Sequence, residues 1–274
     1  MTFIQTIILG LVQGLTEFIP VSSSAHLVLV PFFLGWKIPI TEAFIFDVLI
    51  QIATLTAVMS YFLQDVVRIL RAMWIGVISK KVFYSQDAKI GWLLIVATIP
   101  AGITGLLIKP LVKSAFDSPM AVGIFLLITA VLLLLAELLG SRRRSFDNLT
   151  LKDAIWMGML QALAIFPGVS RSGATITAGM LGGLDRQSAA RFSFLMSIPI
   201  MLAAGLMSLV DLVKSAVDFQ QLAAIGVGCI TAAIVGYLSI RWLLRYLVNR
   251  SLFIFSIYCA IVGGITIISM LFLG

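Results

Sequence analysis

Long uncharged apolar runs, broken by short polar and charged clusters, dominate the chain. Runs at 90–108, 119–136, 193–210, 222–240 and 252–274, with 43–64 interrupted only by Asp47, fit the roughly 20 residues a helix needs to cross hydrocarbon. Their length and lack of sustained alternation exclude membrane β-strands. Two further apolar segments, 3–19 and 154–166, reach a proline and then a polar turn, at 21–25 and 167–173. Each continues as a run too short to cross, 27–36 and 174–184, which reads as re-entrant. The pattern predicts an all-α polytopic membrane protein with about six full transmembrane helices and two re-entrant helix-turn-helix hairpins, at 3–36 and 151–184.

The two hairpins are copies of one another. Residues 13–26 read QGLTEFIPVSSSAH, and 161–174, 148 positions on without a gap, read QALAIFPGVSRSGA. Gln13/Gln161, Leu15/Leu163, Phe18/Phe166, Val21/Val169, Ser22/Ser170 and Ser24/Ser172 are identical, as are Gly10/Gly158 upstream and Phe44/Phe192, Phe46/Phe194 and Ile50/Ile198 downstream. Basic residues supply the orientation. The segment 65–89, with Arg68, Arg71, Lys80, Lys81 and Lys89 against Asp65 and Asp87, reads as a cytoplasmic loop. Arg142 to Arg144 and Arg241, Arg245 and Arg250 fall on the same side, whereas the loops holding Lys109, Lys113 and Asp117, and Asp211, Lys214 and Asp218, are nearly balanced. Corresponding spans then run in opposite directions. This predicts one integral membrane domain built as an inverted-topology repeat, 1–140 and 149–274, whose hairpins enter from opposite sides and meet at their tips inside the membrane.

Composition agrees: 61% of residues are hydrophobic and 11% charged, outside the range of a soluble core. The net charge of +7 is spread over the ends of spans and forms no stripe, so it fixes topology and does not point to nucleic acid. Cys229 and Cys259 sit singly in apolar runs, which argues against a disulfide or metal role. The N-terminus lacks the basic region and small-residue cleavage site of a removable signal peptide.

Irregular backbone at membrane depth is tolerated only where protein buries it or it lines a wet cavity. The half-helices starting near Ser23 and Ser172 would aim N–H groups and a positive dipole end into that cavity, which favours an anion. Gly168 and Gly173 leave room for a ligand beside the backbone, and Arg171 offers a planar fork suited to phosphate or carboxylate. Ser23 and His26, three apart, would share one helix face as an activated nucleophile, with Glu17 to support the histidine. Gln13 and Glu17, at i and i+4, would point into the same cavity. Plainer roles compete: Ser22, Ser23 and Ser24 as turn and cap residues, Arg171 in an interhelical ion pair, and Asp47 with Gln51 either lining the cavity or pairing with another helix.

The stretch 13–26 resembles the E/Q-x-x-x-E and P-V-S-S-x-x-H signature of the undecaprenyl pyrophosphate phosphatases, also known as bacitracin-resistance proteins. PGVSRSGAT at 167–175 resembles their second signature, and FSFLMSIP at 192–199 is similar to a further familial run. The resemblance covers the whole chain. It implies hydrolysis of a C55 polyprenyl pyrophosphate to the monophosphate carrier for peptidoglycan and other cell-envelope polymers, in the plasma membrane, at a site opening to the outer face. Ser23 and His26 become the reactive pair, either one the nucleophile. Arg171 binds the pyrophosphate, and Ser170, Ser172 and Thr175 support it. The resemblance also implies a divalent cation, Mg2+ or Ca2+, associated with Glu17 and position 13. Gln13 stands where many members have glutamate, which leaves Glu17 as the better metal ligand. A homodimer is compatible with the sequence, although no pattern specifies one.

Broken helices in an inverted repeat are also the architecture of secondary transporters, so an anion or lipid-phosphate carrier is the competing reading. A carrier needs Arg171 and the helix dipoles but has little need of Ser23 beside His26.

Overall fold

The computed structural model describes residues 1–116, 118–213 and 219–273. Twelve α-helices and one 3-10 turn are found among them: α1 Phe3–Thr16, α2 Ser23–Phe33, α3 Ile40–Tyr61, α4 Leu63–Ile78, α5 Gln86–Leu107, α6 Lys109–Phe116, α7 Pro119–Leu139, α8 Leu151–Leu163, α9 Arg171–Leu181, α10 Arg186–Val213, α11 Phe219–Asn249 and α12 Phe253–Leu273, with the turn at Phe146–Asn148. Six of these, α3, α5, α7, α10, α11 and α12, are long and apolar enough to cross a membrane. The expected all-α polytopic architecture is therefore present.

The hairpins fall where the repeated stretch places them. α1 and α8 begin 148 residues apart, and α2 and α9 share both boundaries at that offset. Their packing partners match as well. α1 lies against α11 and α8 against α5. A Cβ on Gly10 would collide with the Gly228 carbonyl, and one on its counterpart Gly158 with the Ala97 carbonyl. One small residue, used twice, sets the closest approach of each hairpin to a spanning helix.

Two elements differ from expectation, the end of α1 and the segment 65–89. α1 stops at Thr16, before Pro20, because residues 17–21 already form the turn. α2 starts at Ser23, as expected, ahead of the run of bulky residues, because Ser22 caps it. The segment 65–89 is mostly helix: α4 buries Ile69, Ala72 and Gly76 and packs on α5. Its basic residues conceal the period of an amphipathic helix, since Leu63, Val67, Leu70, Trp74 and Ile78 form an exposed apolar stripe of the kind that lies in a membrane interface. Arg191 on α10 binds Asp65 at 2.9 Å and lies over the Phe146 ring. The side chains of Lys109, Lys113, Asp117, Asp211, Lys214 and Asp218, used to assign orientation, lie outside the described residues.

The base of the second hairpin is tied down by charge. Arg144 binds both oxygens of Asp153, at 2.9 and 2.6 Å, and the carbonyls of Gly182 and Asn148. Thr150 and Asp153 form a capping box that starts α8. Burial pushes the Asp153 carboxyl up, but hydrogen bonds from Arg144 and Thr150 outweigh it and hold the group below the usual carboxylate range. Beside it, Glu137 accepts a bidentate fork from Arg186, at 2.7 and 2.6 Å, and the Leu252 amide at 2.7 Å, joining α7, α10 and the start of α12.

Candidate active site

At the first tip the chain leaves α1 through Glu17–Pro20, and the Val21 amide donates to the Ile19 carbonyl at 2.7 Å. Ser22 adopts φ +70°, a region costly for a residue with a side chain. Local bonds hold it there: its hydroxyl caps the Ala25 amide and meets Ser24 Oγ at 3.2 Å, while His26 Nδ1 donates to its carbonyl at 2.7 Å. The second tip repeats the cap, with Ser170 Oγ accepting from the Gly173 amide at 3.0 Å and meeting Ser172 Oγ at 3.2 Å. The capping role weighed for these serines is therefore occupied by Ser22 and Ser170. The first-turn amides of Ser23, Ser24, Arg171 and Ser172 lie outside both caps, and each half-helix presents them at its N-terminus.

The two tips meet at Glu17. Its Oε1 accepts from Arg171 Nη2 at 2.5 Å, and its Oε2 accepts from Ser23 Oγ at 2.5 Å and from Gln13 Nε2 at 2.9 Å. Ser23 and Arg171 are equivalent positions of the repeat, each the first residue of its half-helix. Glu17 and His26 have Ile165 and Ala174 as counterparts. One copy supplies the carboxylate and imidazole, the other the guanidinium. Among the described residues Arg171 Nη1 and Nε have no partner, so the fork keeps two donors for an oxyanion.

His26 is placed differently from expectation. Its Nδ1 faces a carbonyl and so carries the proton, which makes Nε2 the acceptor for the Tyr258 hydroxyl at 2.7 Å. The two rings stack at 5.7 Å. Both nitrogens are thus engaged, and the Ser23 hydroxyl turns to Glu17, so the structure brings Ser23 to the carboxylate and not to the imidazole.

Several residues expected to support a ligand instead hold the second tip. Gly168 has φ +106°, and a Cβ there would strike the Val122 carbonyl and Phe125, so α7 fills the room it leaves. Gly173 sits tightly against Ser170 and Thr129. Thr175 is fully buried, donating to the Arg171 carbonyl at 2.8 Å and meeting Ser193 Oγ at 2.6 Å. Thr129 on α7 donates to the Gly168 carbonyl at 2.8 Å and accepts from the Ser170 amide at 2.9 Å. Sequence reasoning missed Tyr258 and Thr129. Each is an ordinary residue in an apolar run, and only the repeat's broken symmetry marks the region they serve.

For a divalent cation the oxygen donors are Glu17 and the Oε1 of Gln13, a buried atom with no hydrogen-bond partner. Among the described residues no cluster of three His, Cys, Asp or Glu side chains is present that could hold a metal alone. One carboxylate and an amide oxygen, completed by phosphate oxygens and water, fit the way Mg2+ is ordinarily bound beside phosphates.

Fold and site together define a polytopic membrane protein with a charge-paired polar junction between two broken helices. A family model described as bacitracin resistance protein BacA matches residues 6–265. Proteins named undecaprenyl-diphosphatase from Synechococcus elongatus, Moorella thermoacetica and Methanobrevibacter smithii are 42%, 42% and 43% identical over 265, 267 and 271 residues. The alignments cover 95%, 97% and 96% of this chain and 91%, 97% and 96% of those proteins. The chain belongs to the bacitracin resistance protein BacA family.

Proposed function

We propose that the protein hydrolyses undecaprenyl diphosphate to undecaprenyl phosphate and inorganic phosphate. This recycles the lipid carrier of peptidoglycan and cell-envelope synthesis and so confers bacitracin resistance. Similarity to undecaprenyl-diphosphatases along the whole chain supports the substrate. The observation that carries the chemistry is the convergence of Ser23 and Arg171, from opposite hairpins, on Glu17.

In this reading the free donors of Arg171 and the first-turn amides of both half-helices bind the diphosphate while its polyprenyl tail stays in lipid. Glu17 takes the Ser23 proton as Oγ attacks the terminal phosphorus, and the bond to the bridging oxygen breaks to release undecaprenyl phosphate. Water then cleaves the phosphoserine to free phosphate and restore the hydroxyl. A divalent cation held by Glu17 and Gln13 Oε1 would neutralise part of the diphosphate charge. A second route, attack by His26 Nε2, needs the Tyr258 hydroxyl to give up the lone pair it occupies there, while Nδ1 keeps its proton on the Ser22 carbonyl.

The same reading takes the molecule as an inverted-topology repeat of the plasma membrane, with the basic ends of α4 and α11 in the cytoplasm and the site opening to the outer face. The matched helix boundaries and packing partners support it.

The test is phosphate release from C55 diphosphate by the purified protein, with Ser23→Ala and His26→Ala in parallel. Loss of release in both variants with folding intact is expected, and near-normal turnover in both overturns the assignment. Trapped phosphoenzyme separates the routes, since phosphoserine survives acid and phosphohistidine does not.

A further inference from the structure

A second polar pocket lies away from the hairpin tips, where the end of α3 turns into α4 beside α11. It encloses about 540 Å3 and is lined by Ser60, Tyr61, Gln64, Tyr237, Arg241 and Arg245. Among the described residues these six side chains make no hydrogen bond or ion pair with protein. Tyr61 and Tyr237 meet edge-on at 5.4 Å and form one wall. Arg241 and Arg245, at i and i+4, share a face of α11 and project two guanidinium groups with no carboxylate opposite them. The nearby carboxylates are taken by other arginines: Asp65 by Arg68 and Arg191, and Asp87 by Arg68. Two unpaired arginines among hydroxyl and amide donors form a site for a phosphate-like anion.

The surroundings select the source of that anion. Ile230, Ile234 and Leu238 are exposed at four-residue spacing on α11 and lead along the helix to Arg241 and Arg245. Trp242 stacks on Tyr246 at 5.1 Å beside the pocket, an aromatic pair of the kind that marks headgroup depth. On the other side the apolar stripe of α4 starts at Leu63. An apolar track ending in two free guanidinium groups matches a molecule with a hydrocarbon tail and an anionic head.

We propose that this pocket binds the phosphate of an anionic membrane lipid, whose acyl chains lie along the Ile230, Ile234 and Leu238 face. The site is separate from the Glu17 and Arg171 junction and does not depend on the reading of that junction.

The test is native mass spectrometry of the detergent-solubilised full chain with phosphatidylglycerol, phosphatidylcholine or soluble glycerol phosphate. Detergent removes the bilayer surface potential, so a retained lipid reports a defined site. The wild type should retain one phosphatidylglycerol in preference to phosphatidylcholine. Arg241→Gln with Arg245→Gln should weaken that retention roughly tenfold or more, and Arg245→Gln alone should act in the same direction. Arg71→Gln with Arg143→Gln removes the same charge from residues outside the pocket and should bind like wild type. Unchanged retention in the pocket variants, equal loss in the control pair, or no preference for phosphatidylglycerol overturns the proposal. Arginine-dependent binding of glycerol phosphate as strong as that of the lipid makes the site one for a soluble anion and also overturns it.

Discussion

Ser23 and Arg171 hold equivalent positions of a repeated motif, yet one is a hydroxyl and the other a permanent cation, and both bond the same carboxylate. That division makes Glu17 the residue on which turnover depends. Glu17→Gln keeps the shape but removes both the base and the ion pair. Phosphate release at saturating substrate should fall roughly 10²–10⁴-fold, and a loss smaller than tenfold would contradict the role. Tyr258→Phe deletes only the hydroxyl that meets His26 Nε2. It should lower kcat about fivefold, the equivalent of about 1 kcal/mol, with little change in KM, and equal changes in both would mark a binding role instead. Thr129→Val strands the buried Ser170 amide and Gly168 carbonyl. It should cost about 2–4 kcal/mol of stability, read as a lower Tm in detergent, while Thr129→Ser should stay near wild type. The motif residues were legible because proline, serine, glycine and arginine are conspicuous in apolar sequence. Tyr258 and Thr129 were not, because their partners are 232 and 41 residues away in the chain.

At the scale of elements, both hairpins are fixed by the same devices, a serine cap on the half-helix and a glycine of the preceding helix in contact with a spanning helix. A methyl group at Gly10 or Gly158 would press on a backbone carbonyl that cannot retreat without moving α11 or α5. Each glycine-to-alanine variant should lose about 1–3 kcal/mol. Gly226→Ala, which faces open space on α11, should lose nothing, and thermal scans of the three variants check the contrast. The base of the second hairpin adds a pH dependence. Because Asp153 is held below its usual range when folded, the stabilisation it confers is fully present above its unfolded value of about 3.9 and is lost as pH falls through its folded value. The acid decline of Tm below about pH 5 should therefore flatten in Asp153→Asn. The hairpins could be read from sequence because the proline at each tip adjoins a serine-rich polar turn, whereas Pro100 and Pro199, without one, lie inside α5 and α10. α4 could not, because Arg68 and Arg71 on its polar side resemble a topology signal unless the positions from Leu63 to Ile78 are counted in steps of three and four.

For the whole molecule, the apolar runs determined the number of crossings, since hydrocarbon thickness leaves little freedom in helix length. The meeting of the hairpins was legible only through the repeat, because a contact across 154 residues has no local signal. A first hairpin that returns to its side of entry, followed by a crossing of α3, predicts that Lys37, after α2, and Lys81, before α5, face opposite sides of the membrane. In a background with Cys229 and Cys259 replaced by alanine, a cysteine at position 37 should react with an impermeant maleimide from outside intact cells. One at position 81 should react only after lysis, and labelling of both from one side would contradict the crossing of α3 and the entry of the first hairpin from outside. The central claim is that two hairpins build a single diphosphate-cleaving site. A double-mutant cycle of Glu17→Gln and Arg171→Ala, read as kcat/KM for phosphate release from C55 diphosphate, tests it most directly. Residues acting as one unit predict that each single variant loses most of the activity and that the double variant is scarcely worse than either. A double variant whose loss equals the product of two independent losses, or a single variant close to wild type, would contradict it.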